Sequence, residues 1–327
     1  MIWQATAPSN IALIKYMGCQ KVGERLPANP SLSYTLKALN TRVELELSEQ
    51  LTEDCWQTFP NNPYCDSIIR QVHNDGGMIV LSELEQARFL NHLKFLKTQF
   101  NFKGYFIVRS ANNFQSACGL ASSASSFAAL TLCAVKALSE LCPSHRSGAF
   151  SVETMANWSR QASGSSCRSF FSPWALWEGE SVRALDLPYP ELIHQVVLVD
   201  TQKKLISSSE AHRRVLTSPL FAGRAERAAD RLKQLLQAMH QQNWPSLYEI
   251  TREEFLDMHR LFESATEKFS YRQAATLQVL DYWQDYWQKN GDGPLVTMDA
   301  GPNVHLLFRP DQADRVKEIM KILPGMT

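Results

Sequence analysis

The sequence lacks a CxxC pair, an apolar run of the ~18 residues that a membrane span needs, and any net charge, and each absence excludes a class of function. Its seven cysteines, Cys19, Cys55, Cys65, Cys118, Cys133, Cys142 and Cys167, leave an odd one over. This argues against a disulfide framework or a zinc knuckle, and the thiols read as reduced. The eight histidines show no zinc spacing either. Lysine plus arginine total 33 and aspartate plus glutamate total 33, so no whole-molecule field exists to hold nucleic acid or an anionic membrane. An anionic ligand has to be met by local groups. The opening stretch MIWQATAPSNIALIKYMG has no basic start and no small-residue cleavage site, which makes the cytoplasm the expected compartment. Internal repeats and low-complexity tracts are also missing.

What is present is 327 residues, 44% hydrophobic and 20% charged, enough to bury more than one core. Two domains are expected. The prolines of LPYPEL, at residues 187–192, suggest a junction near 188, giving domains of 1–187 and 188–327. In the first half, Val43, Leu45 and Leu47 alternate with glutamates, and residues 105–108 form a compact apolar run; both predict strands. Phe127, Leu130, Ala134, Leu138 and Leu141 then recur at helical spacing. The second half predicts a strand near 196–199, helices over 222–240, 246–261 and 272–288, strands at 295–298 and 304–308 around a DAGPN turn, and a last amphipathic stretch at 312–322. The fold class expected is α+β.

Four segments carry groups capable of chemistry. Gly119, Leu120, Ala121, Ser122, Ser123 and Ala124 stand where a loop hands over to a helix, whose unpaired N–H groups and dipole attract phosphate. The same string also suits a serine-capped, tightly packed helix, and it has no Walker A lysine. In ASGSSCRS, Arg168 is suited to fork onto a carboxylate or phosphate with Ser163 and Ser165 donating beside it, while an ordinary solvated loop has the same composition. Asp299, in MDAGPN, is placed either to orient or deprotonate an alcohol or merely to cap its turn. Lys15 interrupts the apolar NIALIKY, with Asn10 and Tyr16 nearby, and either snorkels to water or supplies a buried cation.

Together with LPANPSLSYTL, QKKLISSSEAH and MHRLF, these segments resemble the GHMP small-molecule kinase superfamily and, more closely, its mevalonate diphosphate decarboxylase family. The resemblance implies a GHMP kinase fold, with a ribosomal S5 domain 2-like N-terminal domain, a ferredoxin-like C-terminal domain and a cleft between them. It implies an ATP- and Mg²⁺-dependent decarboxylation of mevalonate 5-diphosphate in isoprenoid biosynthesis, on a homodimer. It also assigns roles. Asp299 would face the 3-hydroxyl, Lys15 would balance charge on the reacting phosphate, and Arg168, oriented by Asn10, would hold the substrate's acidic groups beside Ser163 and Ser165. Residues 119–124 would form the nucleotide phosphate loop, with Ser208 near the same phosphates and Tyr16 near the substrate's terminal ones. The ligands of the metal are not implied. A decarboxylase of mevalonate 5-phosphate, a kinase that stops after phosphorylation, and a nucleotide-sensing protein without activity are the rival readings.

The chain departs from the family at IKYMGC, where members usually read IKYWGK: Met17 replaces the tryptophan and Cys19 the lysine that holds the 5-diphosphate. Lys21 is the nearest replacement cation. Gln115 stands where a proline usually precedes the phosphate loop.

Overall fold

A computed structural model describes residues 1–19, 26–61, 81–114, 122–142, 150–200, 202 and 204–316. The N-terminal sheet is built on one long strand. β1 (Ile2–Ala12) pairs antiparallel with β2 (Ser31–Ser48) along most of its length, the register slipping between Pro8 and Ser9. On its other side β2 takes two partners, β4 (Tyr105–Asn112) along Thr41–Ser48 and β5 (Trp174–Glu178) along Ser31–Tyr34. The order is β3–β4–β2–β5–β6, with β3 (Cys55–Trp56) and β6 (Ser181–Leu185) at the ends and β1 on β2. The alternation of Val43, Leu45 and Leu47 with glutamates thus marks a strand with one face to the core, as expected.

That face is covered by α1 (Glu83–Gln99) and α2 (Ser122–Leu141), while α3 (Val152–Arg160) follows α2. Phe89, Leu93 and Leu96 of α1 and Phe127, Leu130 and Leu138 of α2 share a core with Trp3, Val43, Leu45, Phe106 and Val108. Each side chain of this size contributes about 1.5–3 kcal/mol when fully buried. The alanines and serines of α2 let it lie close to the sheet: Ser125 Oγ is 2.6 Å from Thr41 Oγ1, and Cys133 Sγ bonds the Trp3 carbonyl. By length and composition α2 passes for a membrane span, with mean hydropathy 1.3, yet 72% of that window is buried inside the protein.

The second half holds a three-stranded antiparallel sheet among the described residues, ordered β7 (Ile193–Val197), β9 (Val304–Phe308), β8 (Leu295–Thr297). Against it lie α6 (Trp244–Ser264) and α7 (Ala274–Asn290), with α5 (Arg224–His240) packed on α6 and preceded by the short α4 (Ser208–Arg214). The expected helices and strands are all found, within a few residues. Only residues 312–316 of the last amphipathic stretch fall in the described part. The expected α+β class is the class observed.

The LPYPEL junction is stitched to both halves. Leu192 N–H donates to Tyr34 Oη, Trp174 Nε1 donates to the Tyr189 carbonyl, and Tyr189 Oη donates to the Gln242 carbonyl. One core accordingly runs across it, from Ile11, Leu13, Ile14, Leu32 and Trp174 to Leu235, Phe255, Val296 and Leu306. This packing brings the segment that follows β1 against α5 and α6.

Candidate active site

After β1, residues 13–18 leave the sheet, and the first of them are tied back to β2: Leu13 and Ile14 N–H both bond the Leu32 carbonyl. Lys15 follows. Its side chain does not snorkel: the residue is 1% exposed, and Nζ lies 2.7 Å from Asp299 Oδ1, 284 residues away. Asp299 leaves β8 through the buried Met298 and keeps 25% of its side chain exposed, so the pair opens to solvent from the carboxylate side. The turn carrying it is pinned, because Gly301 N–H bonds the Asp299 carbonyl and Lys204 Nζ bonds the Ala300 carbonyl. Buried His259 stands 3.3 Å from the same Asp299 carbonyl; burial, with Arg272 and Lys15 nearby, pushes its imidazole down to about 3, so it is neutral at physiological pH.

Burial pulls the Lys15 ammonium down, opposed by Asp299 and Glu254. Burial also drives the Asp299 carboxyl upward, but Lys15, His305 and Arg168 outweigh it and hold the group below its usual range. Asp299 is therefore an ionised carboxylate paired with Lys15, a partner that its local sequence, which favoured a turn cap, did not reveal.

ASGSSCRS is not a solvated loop. Residues Gly164–Phe170 wind into a 3₁₀ helix with Gly164, Ser166, Cys167, Arg168 and Ser169 buried. Arg168 Nε donates to Asn10 Oδ1 at 3.2 Å, Nη1 donates to Ser31 Oγ at 2.9 Å, and the guanidinium lies 5.9 Å from the centre of the Trp177 ring. Asn10 is oriented in turn, its amide donating to Ser169 Oγ at 2.8 Å. Among the described residues no carboxylate ion-pairs with Arg168, and burial lowers its pKa. Its described hydrogen-bond partners are thus neutral side chains, and the carboxylate charge acting on it is that of Asp299.

The hydroxyls of two predicted segments meet. Ser123, in the first turn of α2, lies with its Oγ 3.3 Å from Ser163 Oγ, and Ser163 Oγ lies 3.4 Å from Ser165 Oγ. Ser122 and Ala124 belong to the same turn, with Ser122 O accepting from Ser125 Oγ. Gly119, Leu120, Ala121 and Gln115 lie outside the described residues. Ser208 is exposed at the start of α4, where Lys204 Nζ donates to its Oγ at 2.8 Å and so links it to the Asp299 turn. Tyr16 packs between Trp177, with ring centres 4.6 Å apart, and His212, at 4.4 Å. Gly164 leaves room for it: a Cβ there would lie 2.7 Å from the Tyr16 ring.

Two models match the chain in succession. A diphosphomevalonate decarboxylase-like N-terminal domain matches residues 7–184, and a mevalonate 5-diphosphate decarboxylase C-terminal domain matches 194–326. The chain belongs to the diphosphomevalonate decarboxylase family. A mevalonate diphosphate decarboxylase from Legionella pneumophila is 48% identical, with TM-score 0.88 over 98% of this chain and 97% of that one. MDDEF, solved in complex with MVAPP, AMPPCP and magnesium, is 27% identical with TM-score 0.82 over 98% and 92%. The diphosphomevalonate decarboxylase of Danio rerio is 29% identical over 97% of this chain and 78% of its own length.

Of the departures from the diphosphomevalonate decarboxylase pattern, Met17 and Cys19 have different consequences. Met17 is 2% exposed and packs with Ala211, Val215, Met258 and Phe262, so it fills the tryptophan's place as core. Cys19 Sγ lies 3.3 Å from Tyr16 Oη and contributes no cation. Between them Gly18 takes φ +85°, a conformation that favours glycine, and its N–H donates to His212 Nδ1 at 2.9 Å. Lys21 lies outside the described residues. Sequence reasoning missed Ser31, Ser169, Asn29 and His212, all of which stand in segments that carry the family resemblance. It also missed Arg224 and Glu254, which no motif marks.

Proposed function

We propose that the chain catalyses the ATP-dependent decarboxylation of mevalonate 5-diphosphate to isopentenyl diphosphate, with Asp299, Lys15 and Arg168 as its catalytic residues. The observation that carries this reading is the 2.7 Å Lys15–Asp299 pair, partly open to solvent and under the influence of the buried Arg168. In the reaction, Asp299 orients the tertiary 3-hydroxyl and accepts its proton as the oxygen takes the γ-phosphoryl group and ADP leaves. The C–O bond to the new phosphate and the C–C bond to the carboxylate then break, and the C–C electrons form the product's double bond as CO₂ departs. A tertiary hydroxyl leaves poorly until phosphorylated, so the first step makes the second possible.

Lys15 supplies positive charge to the transferring phosphoryl group, where a preorganised cation in a water-poor site is worth most. Arg168, held by Asn10 and Ser31, receives the substrate carboxylate, and Ser163 and Ser165 donate beside it. Ser122 and Ser123, with residues 119–124, take the nucleotide phosphates, and Ser208 reaches the same phosphates from α4. Tyr16 meets the substrate's terminal phosphates.

Mg²⁺ fits this site as a nucleotide-borne ion. No group of three or more His, Cys, Asp or Glu capable of holding a metal is found among the described residues. The hydroxyls of Ser122 and Ser123 are the oxygen donors suited to a small, hard cation that keeps most of its bonds to phosphate and water. When bound, Mg²⁺ neutralises phosphate charge. We further place the protein in the cytoplasm as a homodimer, supported by its reduced cysteines and by the family resemblance, and light scattering after gel filtration tests the latter.

The 5-phosphate of mevalonate is the second reading, favoured by Cys19, which stands where the family has lysine. Release of labelled CO₂ from mevalonate, its 5-phosphate and its 5-diphosphate decides the matter. ATP consumption without CO₂ would identify a kinase, and neither would identify a binding protein.

A further inference from the structure

The main chain of Lys15 is gripped from the other half of the protein. Its N–H donates to Glu254 Oε1 at 2.9 Å, across 239 residues, and its carbonyl accepts from Arg224 Nη2 at 3.0 Å, across 209. Asn29 Nδ2 donates to the same carbonyl at 2.9 Å. Arg224 and Glu254 are fully buried and bonded to each other through both guanidinium nitrogens, Nη1 to Oε2 at 3.0 Å and Nη2 to Oε1. Asp257, Arg227 and Arg231 complete the cluster without touching Lys15.

We propose that Glu254 and Arg224 are positioning residues for the proposed reaction: they fix both main-chain hydrogen-bonding groups of Lys15, so that its short reach to Asp299 is set by α5 and α6 rather than by the irregular segment that carries it. This rests on the functional reading above. Residues 13–18 belong to no helix, and a lysine stem has four rotatable bonds; without an external grip its ammonium would sample many positions. A carboxylate that accepts the Lys15 N–H while locked in a bidentate pair has no such freedom. The cost of burying this ion pair is itself an argument for a role beyond stability, because apolar residues of the same volume commonly stabilise a core as well or better.

Glu254 acts on the ammonium by charge as well as by position. The charged and titratable groups facing Lys15 are Asp299 from the β8–β9 turn, Glu254 and His259 from α6, Arg224 from α5 and Arg168 from the 3₁₀ helix. Asp299 and Glu254 favour the protonated form, and Arg168 opposes it. Removing the Glu254 charge therefore moves the Lys15 titration to lower pH.

The test compares Glu254→Gln, Asp257→Asn and Asn29→Ala with the wild type. Both acidic-residue changes remove one carboxylate from the same buried cluster and should lower Tm alike. Only Glu254→Gln should cut kcat, by about tenfold with KM for ATP within about twofold, and shift the alkaline limb of the kcat profile to lower pH. Asn29→Ala, which unpairs no buried charge, should lower kcat several-fold without moving that limb. Equal Tm losses with kcat and limb unchanged in Glu254→Gln would reduce the pair to a structural ion cluster. If Glu254→Gln does not fold, unchanged kcat in Asn29→Ala overturns the grip. Should the wild type release no CO₂, the functional reading falls while the inference stays measurable: NMR of ε-labelled lysine should still show Lys15 titrating at lower pH in Glu254→Gln, and an unmoved midpoint rejects it.

Discussion

Lys15 Nζ lies 2.7 Å from Asp299 Oδ1 although 284 residues separate them, and the approach is made by two different devices. Lys15 is brought in by its main chain, held between Glu254 and Arg224. Asp299 is brought in by a tight turn between adjacent strands, fixed at its carbonyl and at that of Ala300. The Lys15 main chain is thus placed by the other half of the protein, whereas the Asp299 turn is fixed within its own half.

Asp299→Asn keeps the shape of the side chain and removes the carboxylate. ATP binding should survive, and CO₂ release should fall by well over tenfold. The variant loses some stability as well, because the buried Lys15 is left without its counter-ion. Retention of more than about a tenth of wild-type kcat, a barrier increase below about 1.4 kcal/mol, would remove Asp299 from the catalytic role.

The two members of the pair predict opposite limbs of pH behaviour. Burial, opposed by Asp299 and Glu254, leaves Lys15 below its ordinary 10.5, so activity needing the ammonium should fall on an alkaline limb below that pH. Lys15→Arg, whose guanidinium does not titrate in this range, should remove the limb even where it lowers kcat. For stability, the folded carboxyl of Asp299 lies below the ordinary 3.8, so the folded state binds fewer protons than the unfolded one between the two values. Its contribution is full above 3.8 and is lost as pH falls through the folded value. Urea midpoints taken between about pH 5 and 3 should therefore drop more steeply for wild type than for Asp299→Asn; equal slopes would contradict the shift.

How much of this was legible in the sequence depends on the range of the interaction. Periodicity sufficed for β2, α2 and the helices of the second half, because each buries one face and its pattern is local. The site was legible only as separate strings whose order matched a family. Taken singly, Asp299 read as a turn cap and ASGSSCRS as a solvated loop. The structure decides both through partners far along the chain: Lys15 for Asp299, and Asn10 and Ser31 for Arg168. Glu254 stayed invisible because a glutamate in REEFLDMH reads as the polar side of an amphipathic helix, and nothing local announces that Arg224 will neutralise it in the interior.

Arg168→Lys tests geometry at constant charge. The guanidinium uses Nε and Nη1 to hold Asn10 and Ser31, and an ammonium cannot span both while facing a substrate carboxylate. Turnover should fall by more than about tenfold, with KM for the mevalonate substrate raised. Wild-type kinetics in the lysine variant would make the arginine structural and displace the proposed substrate pose.

Cys19 stands where the family has a lysine. Its Sγ lies 3.3 Å from Tyr16 Oη, and Tyr16 is wedged between Trp177 and His212, so the position is firmly built yet lacks the family's cation. If the pocket is one charge short, Cys19→Lys should lower KM for the 5-diphosphate about fivefold, as one contact of about 1 kcal/mol predicts. kcat should change little, because that group is remote from the bonds being broken and contributes uniform binding. If Lys21 already supplies the cation, Cys19→Lys gains nothing or crowds the site, and Lys21→Ala raises KM several-fold instead. Both results keep the diphosphate as substrate. A wild type that prefers the 5-phosphate and is indifferent to both substitutions would mean that Tyr16 and Cys19 line a pocket built for the smaller anion, and the 5-diphosphate assignment would give way to it.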